Sequence, residues 1–159
     1  MGAEADWATR KRAGEILNEF GVPFEIKVVS AHRTPEATHN YVKDADARGC
    51  SVFICAAGMA AHLAGAVSAN TLKPVLGVPI NSSLDGLDAL LATVQMPAGI
   101  PVGTVAIGKA GAKNAAYLAA QIIGTSDPVV HKALIAERQA NAEAVMAKDA
   151  ALQEKLKSL

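Results

Sequence analysis

The chain has 159 residues, a length that suits one domain with a substantial core. Its 15 basic side chains balance its 15 acidic ones, so no net field recruits nucleic acid or an anionic membrane surface, and a small-molecule ligand is expected. Although 51% of residues are apolar, no run approaches the roughly 20 needed to span a bilayer, and neither a leader pattern nor a metal-ligand spacing around Cys50 and Cys55 is present, so a cytoplasmic, metal-free protein is expected.

Asp6 to Phe20 carries Trp7, Ala13, Ile16, Leu17 and Phe20 at helical spacing, with Asp6 as a candidate N-cap and Gly21 then Pro23 as the stop. Phe24 to Val29 reads as a strand, and Thr34-Pro35 opens a helix to about Arg48 that Gly49 closes. Strands follow at Val52 to Ala56, Pro74 to Val78 and Val102 to Ile107, with helices from Gly58 to about Thr71 and from Ser82 to Val94 between them. Lys113 to Ile123 is an Ala-rich helix stopped by Gly124, and Ser126-Asp127-Pro128 caps a long final helix over about 127–157. This alternation predicts an α/β fold, a three-layer doubly wound parallel sheet in a single domain over 1–159 with its core at 2–124. Such a sheet ordinarily starts with a buried strand leading into the first glycine turn, whereas here Met1-Gly2 stand at that turn. The first strand is therefore expected to be missing, its place to be filled by residues upstream of Met1 or by another segment, and a chain left without it to be poorly soluble.

Ser30-Ala31-His32-Arg33-Thr34-Pro35 stands where the apolar run from Phe24 gives out. In an open parallel sheet the ligand crevice lies beyond the carboxyl ends of the strands, so this turn faces a substrate. His32 is suited to moving a proton near neutral pH, and Arg33 offers a fixed fork of donors that fits a phosphate. Residue chemistry alone also allows an ordinary solvated loop. Likewise Asp6 serves equally as a helix cap, and His62, set among Ala and Leu, fits a core or interface position as readily as a site. His39 and His131 fall on charged helical faces and read as solvated.

Four blocks together carry a resemblance: Ser30 to Pro35, Ala57-Gly58-Met59-Ala60-Ala61-His62-Leu63-Ala64-Gly65, Leu76-Gly77-Val78-Pro79, and Val94-Gln95-Met96-Pro97-Ala98-Gly99-Ile100-Pro101-Val102. In this order and spacing, the chain from Gly2 to about Gly124 resembles the N5-carboxyaminoimidazole ribonucleotide mutases of purine biosynthesis, also called the catalytic subunit of phosphoribosylaminoimidazole carboxylase. The resemblance implies a cofactor-free carboxylate shift in a homo-octamer. The carboxylate on the exocyclic nitrogen leaves as carbon dioxide, is held in a closed pocket, and is captured by C4 of the same ribonucleotide. By the same resemblance His32 is the general acid/base, Ser30 and Ala31 frame the carboxylate pocket, Arg33 meets the phosphate and Asp6 the ribose. Gly58, Ala61, His62 and Leu63 line the base and carbon dioxide pocket, and Gln95-Met96-Pro97 lies at subunit contacts.

One departure stands out. The family's first turn reads Gly-Ser-x-Ser-Asp, and here it reads Gly2-Ala3-Glu4-Ala5-Asp6, so two hydroxyl donors to the substrate are absent. At about 1.5–3 kcal/mol for each hydrogen bond to a charged group, weakened substrate binding with intact chemistry is expected. The alternatives are a ribonucleotide-binding relative with weak or lost turnover, and direct carboxylation of aminoimidazole ribonucleotide by carbon dioxide or bicarbonate. Arg33, where carboxylase-type relatives carry Lys, and the Ala61-His62-Leu63 block favour the mutase.

Overall fold

The computed structural model describes residues 3–157, arranged as a parallel sheet flanked by helices. Helix α1 (Ala3–Glu19) comes first and buries Ala13, Ile16 and Leu17, with Phe20 just beyond it. The helix starts ahead of the expected position, so the backbone of Ala3, Ala5 and Asp6 is helical, and Asp6 lies inside α1 instead of capping it. Ala3-Glu4-Ala5 are good helix formers, and acidic residues in a first turn suit the helix dipole. At its other end Gly21 (φ +70) lets the Gly21 and Val22 amides donate to Asn18 O and Leu17 O, a double closure that needs a left-handed residue. The same closure recurs after α2 (Pro35–Ala47), where the Gly49 and Cys50 amides donate to Asp46 O and Ala45 O.

Strand β1 (Phe53–Gly58), helix α3 (Leu63–Ser68), strand β2 (Val75–Ile80), a 3-10 turn at Leu84–Gly86, helix α4 (Leu87–Val94) and strand β3 (Gly103–Thr104) follow. The sheet order is β1-β2-β3, all parallel, with Phe53 opposite Val75 and Leu76 opposite Gly103. Side chains alternate cleanly across it. Leu76, Val78 and Ile80 join Ile16, Leu17 and the Ala112, Ala115, Ala116 and Ala119 row of helix α5 (Gly108–Gly124) on one face. Phe53, Cys55 and Val75 join Val42 of α2 and Ala64 and Val67 of α3 on the other. A strand covered on both faces is apolar throughout, and every residue of β2 is buried. The bend into α5 is equally tight: a Cβ on Gly111 would stand 1.6 Å from Ala106 O.

Four expectations need correction. The helix predicted from Gly58 starts only at Leu63, because β1 continues through Gly58 and a turn intervenes. The strand predicted over Val102 to Ile107 shrinks to two residues, and the helix predicted from Ser82 begins at Leu87 after the 3-10 turn. Finally, Phe24 to Val29 is not a strand, since it pairs with no neighbour among the described residues. An open groove of 690 Å³ separates it from β1, lined by Phe24, Ile26 and Val29 on one side and by Val52, Ile54 and Ala56 on the other. Side chains hold this segment instead of a ladder. The Phe24 ring lies against Gly14 of α1, and Glu25 accepts hydrogen bonds from Tyr41 Oη (2.8 Å) and Arg48 Nη2 (2.7 Å).

Helix α6 (Pro128–Leu156) closes the chain. Asp127 Oδ1 accepts from the Val129 and Val130 amides at 2.9 and 3.2 Å, the cap that Ser126-Asp127-Pro128 predicts. Only Val130 of this 29-residue helix is buried. No helix of the described residues is long and apolar enough to cross a membrane.

Candidate functional site

The turn after the 24–29 segment is built by two hydroxyls. Thr34 Oγ1 donates to Ser30 O and accepts from the Ser30 amide, the Thr34 amide donates to Ser30 O, and the Arg33 amide donates to Ser30 Oγ. Ser30 and Thr34 thus close the loop on itself, as short hydroxyl side chains do in turns. His32 sits at its tip, exposed, with Ala31 half-buried beside it. Arg33 is exposed and has no ion-pair partner among the described residues, which leaves its guanidinium available to an anion.

The second half of the site follows β1. Gly58 ends the strand where a Cβ would press on Ile80 O at 3.2 Å and on the Ser82 side chain at 3.3 Å, so the ends of β1 and β2 approach closely there. The chain then turns through Met59 (φ +55) and Ala61 (φ +25), with the Ala61 amide donating to Gly58 O. Neither residue is glycine, so both conformations are strained by about 1–3 kcal/mol each, and Ala61 is held in place by burial among Ala57 and Ala89. This turn delivers His62 to the N-cap position of α3, and Leu63 packs half-buried behind it.

The two halves meet at the histidines. His32 Nε2 lies 2.5 Å from His62 Nδ1, and the rings stand perpendicular with centroids 4.8 Å apart. Both are exposed, so the pair faces solvent at the carboxyl end of the sheet. The same end carries a second strained turn after β2, at Leu84 (φ +44) and Asp85 (φ +54). All four left-handed non-glycine residues of the described chain therefore flank one rim, a distribution typical of binding sites.

Ser30, Ala31, His32, Arg33, Gly58, Ala61, His62 and Leu63 are thus brought to one place from two separate loops. Gly2 and the side chains of Ala3, Ala5 and Asp6 lie outside the described residues. Leu84 and Asp85 were not legible as site residues, because Asp85-Gly86 signals an ordinary turn and nothing in the sequence marks Leu84 as left-handed. Elsewhere Cys55 is buried, which pushes its thiol up to about 12 and makes it a packing residue. Met96 touches α3 where Gly65 leaves room for its sulfur. Among the described residues no cluster of three or more His, Cys, Asp or Glu side chains is arranged to hold a metal.

The chain is similar to known proteins along nearly its whole length. A family model described as AIR carboxylase matches residues 1–144. N5-carboxyaminoimidazole ribonucleotide mutase of Pseudomonas aeruginosa is 52% identical over 147 residues, covering 92% of this chain and 90% of that protein. The mutase of Aliivibrio fischeri is 55% identical over 147 residues, covering 92% and 91%. The crystal structure of Treponema denticola PurE superposes with a TM-score of 0.86 at 28% identity, over 96% of this chain and 94% of that one.

Proposed function

The chain belongs to the AIR carboxylase family, and from that premise we propose that it converts N5-carboxyaminoimidazole ribonucleotide to the 4-carboxy isomer in purine biosynthesis. The observation that carries this reading is the exposed His32–His62 pair at the carboxyl end of the sheet, next to Arg33, which has no ion-pair partner among the described residues. In the reaction, His32 gives a proton to the exocyclic nitrogen as the N-carboxylate leaves as carbon dioxide. C4 then attacks the trapped carbon dioxide, and His32 takes the C4 proton, so one proton is lent and returned and no oxidant, reductant or cofactor is consumed. Arg33 binds the phosphate as a planar fork, and the Gly58 to Leu63 turn lines the base and the carbon dioxide pocket. Asp6 meets the ribose, while Ala3 and Ala5 supply no hydroxyl and leave phosphate binding weaker than in a Ser-bearing turn.

The assembly is a homo-octamer in the cytoplasm, built as a single domain per subunit. The face of α4 supports association: Leu84, Leu87, Leu91 and Val94 form an exposed stripe at helical spacing, from 76% exposed at Leu84 to 47% at Val94. The test of the activity is conversion of fresh N5-carboxyaminoimidazole ribonucleotide, followed spectrophotometrically, by the wild-type chain and by His32→Asn. A loss of about 10²- to 10⁴-fold in kcat is expected for the variant. Conversion that His32→Asn leaves undiminished overturns the assignment of His32, and no conversion by the folded wild-type chain selects a ribonucleotide-binding relative.

A further inference from the structure

We propose that His62 is the positioning residue that sets the working tautomer of His32. The inference rests on the reading of His32 as the proton-transfer group and adds a named partner to it.

At 2.5 Å, one N–H must lie between His32 Nε2 and His62 Nδ1, with the other nitrogen accepting. Each ring keeps one further nitrogen, Nδ1 on His32 and Nε2 on His62, with no partner among the described residues. A neutral imidazole carries a single proton, so whichever nitrogen is engaged decides the character of the one left over. If the shared proton belongs to His32 Nε2, its Nδ1 is bare and takes a proton from carbon. Once that proton has arrived, Nε2–H still donates to His62, so the imidazolium keeps its hydrogen bond and no ring has to turn. If the shared proton belongs to His62 instead, Nδ1 of neutral His32 is already protonated and accepts nothing. Only the first arrangement lets one nitrogen of His32 lend a proton and take it back. It also makes His62 the Nε2–H tautomer.

The backbone keeps His62 in this role. His62 has helical dihedrals (φ −73, ψ −6) at the head of α3, directly after Ala61, which is 3% exposed and left-handed at φ +25. On the other side, the Ser30–Thr34 hydrogen bonds fix the loop that carries His32. Two rigid loops from different parts of the chain thus fix one nitrogen–nitrogen distance, which is the requirement for a tautomer lock.

The test reads ring nitrogens by 15N NMR on the full, ligand-free chain labelled at histidine, with His32→Asn used for assignment. In its neutral form the wild-type His32 is expected to be protonated at Nε2 and bare at Nδ1, with scalar coupling from that N–H to His62 Nδ1; its imidazolium carries the proton it lends on Nδ1. His62→Phe is expected to turn His32 into a mixture of tautomers and to lower kcat by about 10- to 100-fold, a larger factor than any rise in KM. His62→Asn, whose Oδ1 accepts near the position of Nδ1, is expected to restore both the tautomer and most of kcat. A neutral wild-type His32 protonated at Nδ1, or a His32 tautomer unchanged in His62→Phe, overturns the proposal. The nitrogen signals decide this without turnover, so a wild-type chain that makes no product counts against the activity and leaves the tautomer result to stand or fall alone.

Discussion

Val75–Ile80 and Phe24–Val29 are both six-residue, largely apolar stretches preceding a helix or turn, and their fates differ. The first is β2, paired on both sides and buried at every residue. The second joins no ladder among the described residues, leaves Phe24, Ile26 and Val28 at 41%, 44% and 72% exposure, and is fastened by side chains to Gly14 of α1, Tyr41 of α2 and Arg48. An apolar, β-branched pattern describes a chain able to join a sheet; the ladder itself requires a neighbour with free N–H and C=O groups at strand distance. The groove beside β1 interrupts that neighbourhood, so the same kind of sequence ends as a tethered segment.

The contrast is open to direct tests. The largest effect is expected on the packed side: Gly111→Ala drives a methyl into Ala106 O and is expected to lose about 3 kcal/mol in urea unfolding, at the upper end for overpacking. A loss under about 1 kcal/mol would show that the start of α5 yields, and that this half is less tightly determined than β2 implies. A smaller, pH-dependent effect is expected at the tether. The hydrogen bond from Arg48, and then that from Tyr41, hold the Glu25 carboxyl below its ordinary value. A carboxylate depressed in the folded state contributes stability above its unfolded-state value and loses it as pH falls through the folded value. The Tm gap between wild type and Glu25→Gln should therefore be widest near pH 7 and close in acid; a gap constant down to pH 3 would mean that the carboxylate is not what fastens the segment. The smallest effect is expected from Ile26→Thr, within about 0.5 kcal/mol because the side chain lies half in solvent. A clearly larger loss would reveal that something covers the groove in solution.

Much of the architecture was readable from local signals. Glycines at 21 and 49 mark left-handed helix ends, Asp127-Pro128 marks the start of α6, and the β1 and β2 runs carry their apolar pattern on both faces. Failures occurred where the deciding partner is distant in sequence. Whether Phe24 to Val29 pairs depends on β1, nearly thirty residues away, and Gly58 extends β1 because it fits against Ile80 O. The candidate site divides in the same way. His32, Arg33 and Ser30 were legible because a turn follows an apolar run, whereas the role of His62 depends on a contact across thirty positions of chain that no local pattern encodes. The strain at Leu84 and Asp85 was invisible for a related reason: the close fit of Gly86 between Asn81 and Ile107 shapes that turn from outside it.

Helix α6 has a consequence for how the molecule opens. Its first turns are tied down by Val130 and by packing against α5 that includes the Tyr117 Oη to Glu137 hydrogen bond, but from Asn141 onward every described residue is exposed. There the helix rests on its Ala, Glu, Gln and Lys content and on local pairs such as Gln139 with Glu143 and Lys157 with Glu154. Helices without a packed face are marginal, so the distal amides should exchange with solvent through fraying, at an opening free energy near zero, while those of β2 wait for global unfolding. One continuous helix thus spans both ends of the protein's stability scale.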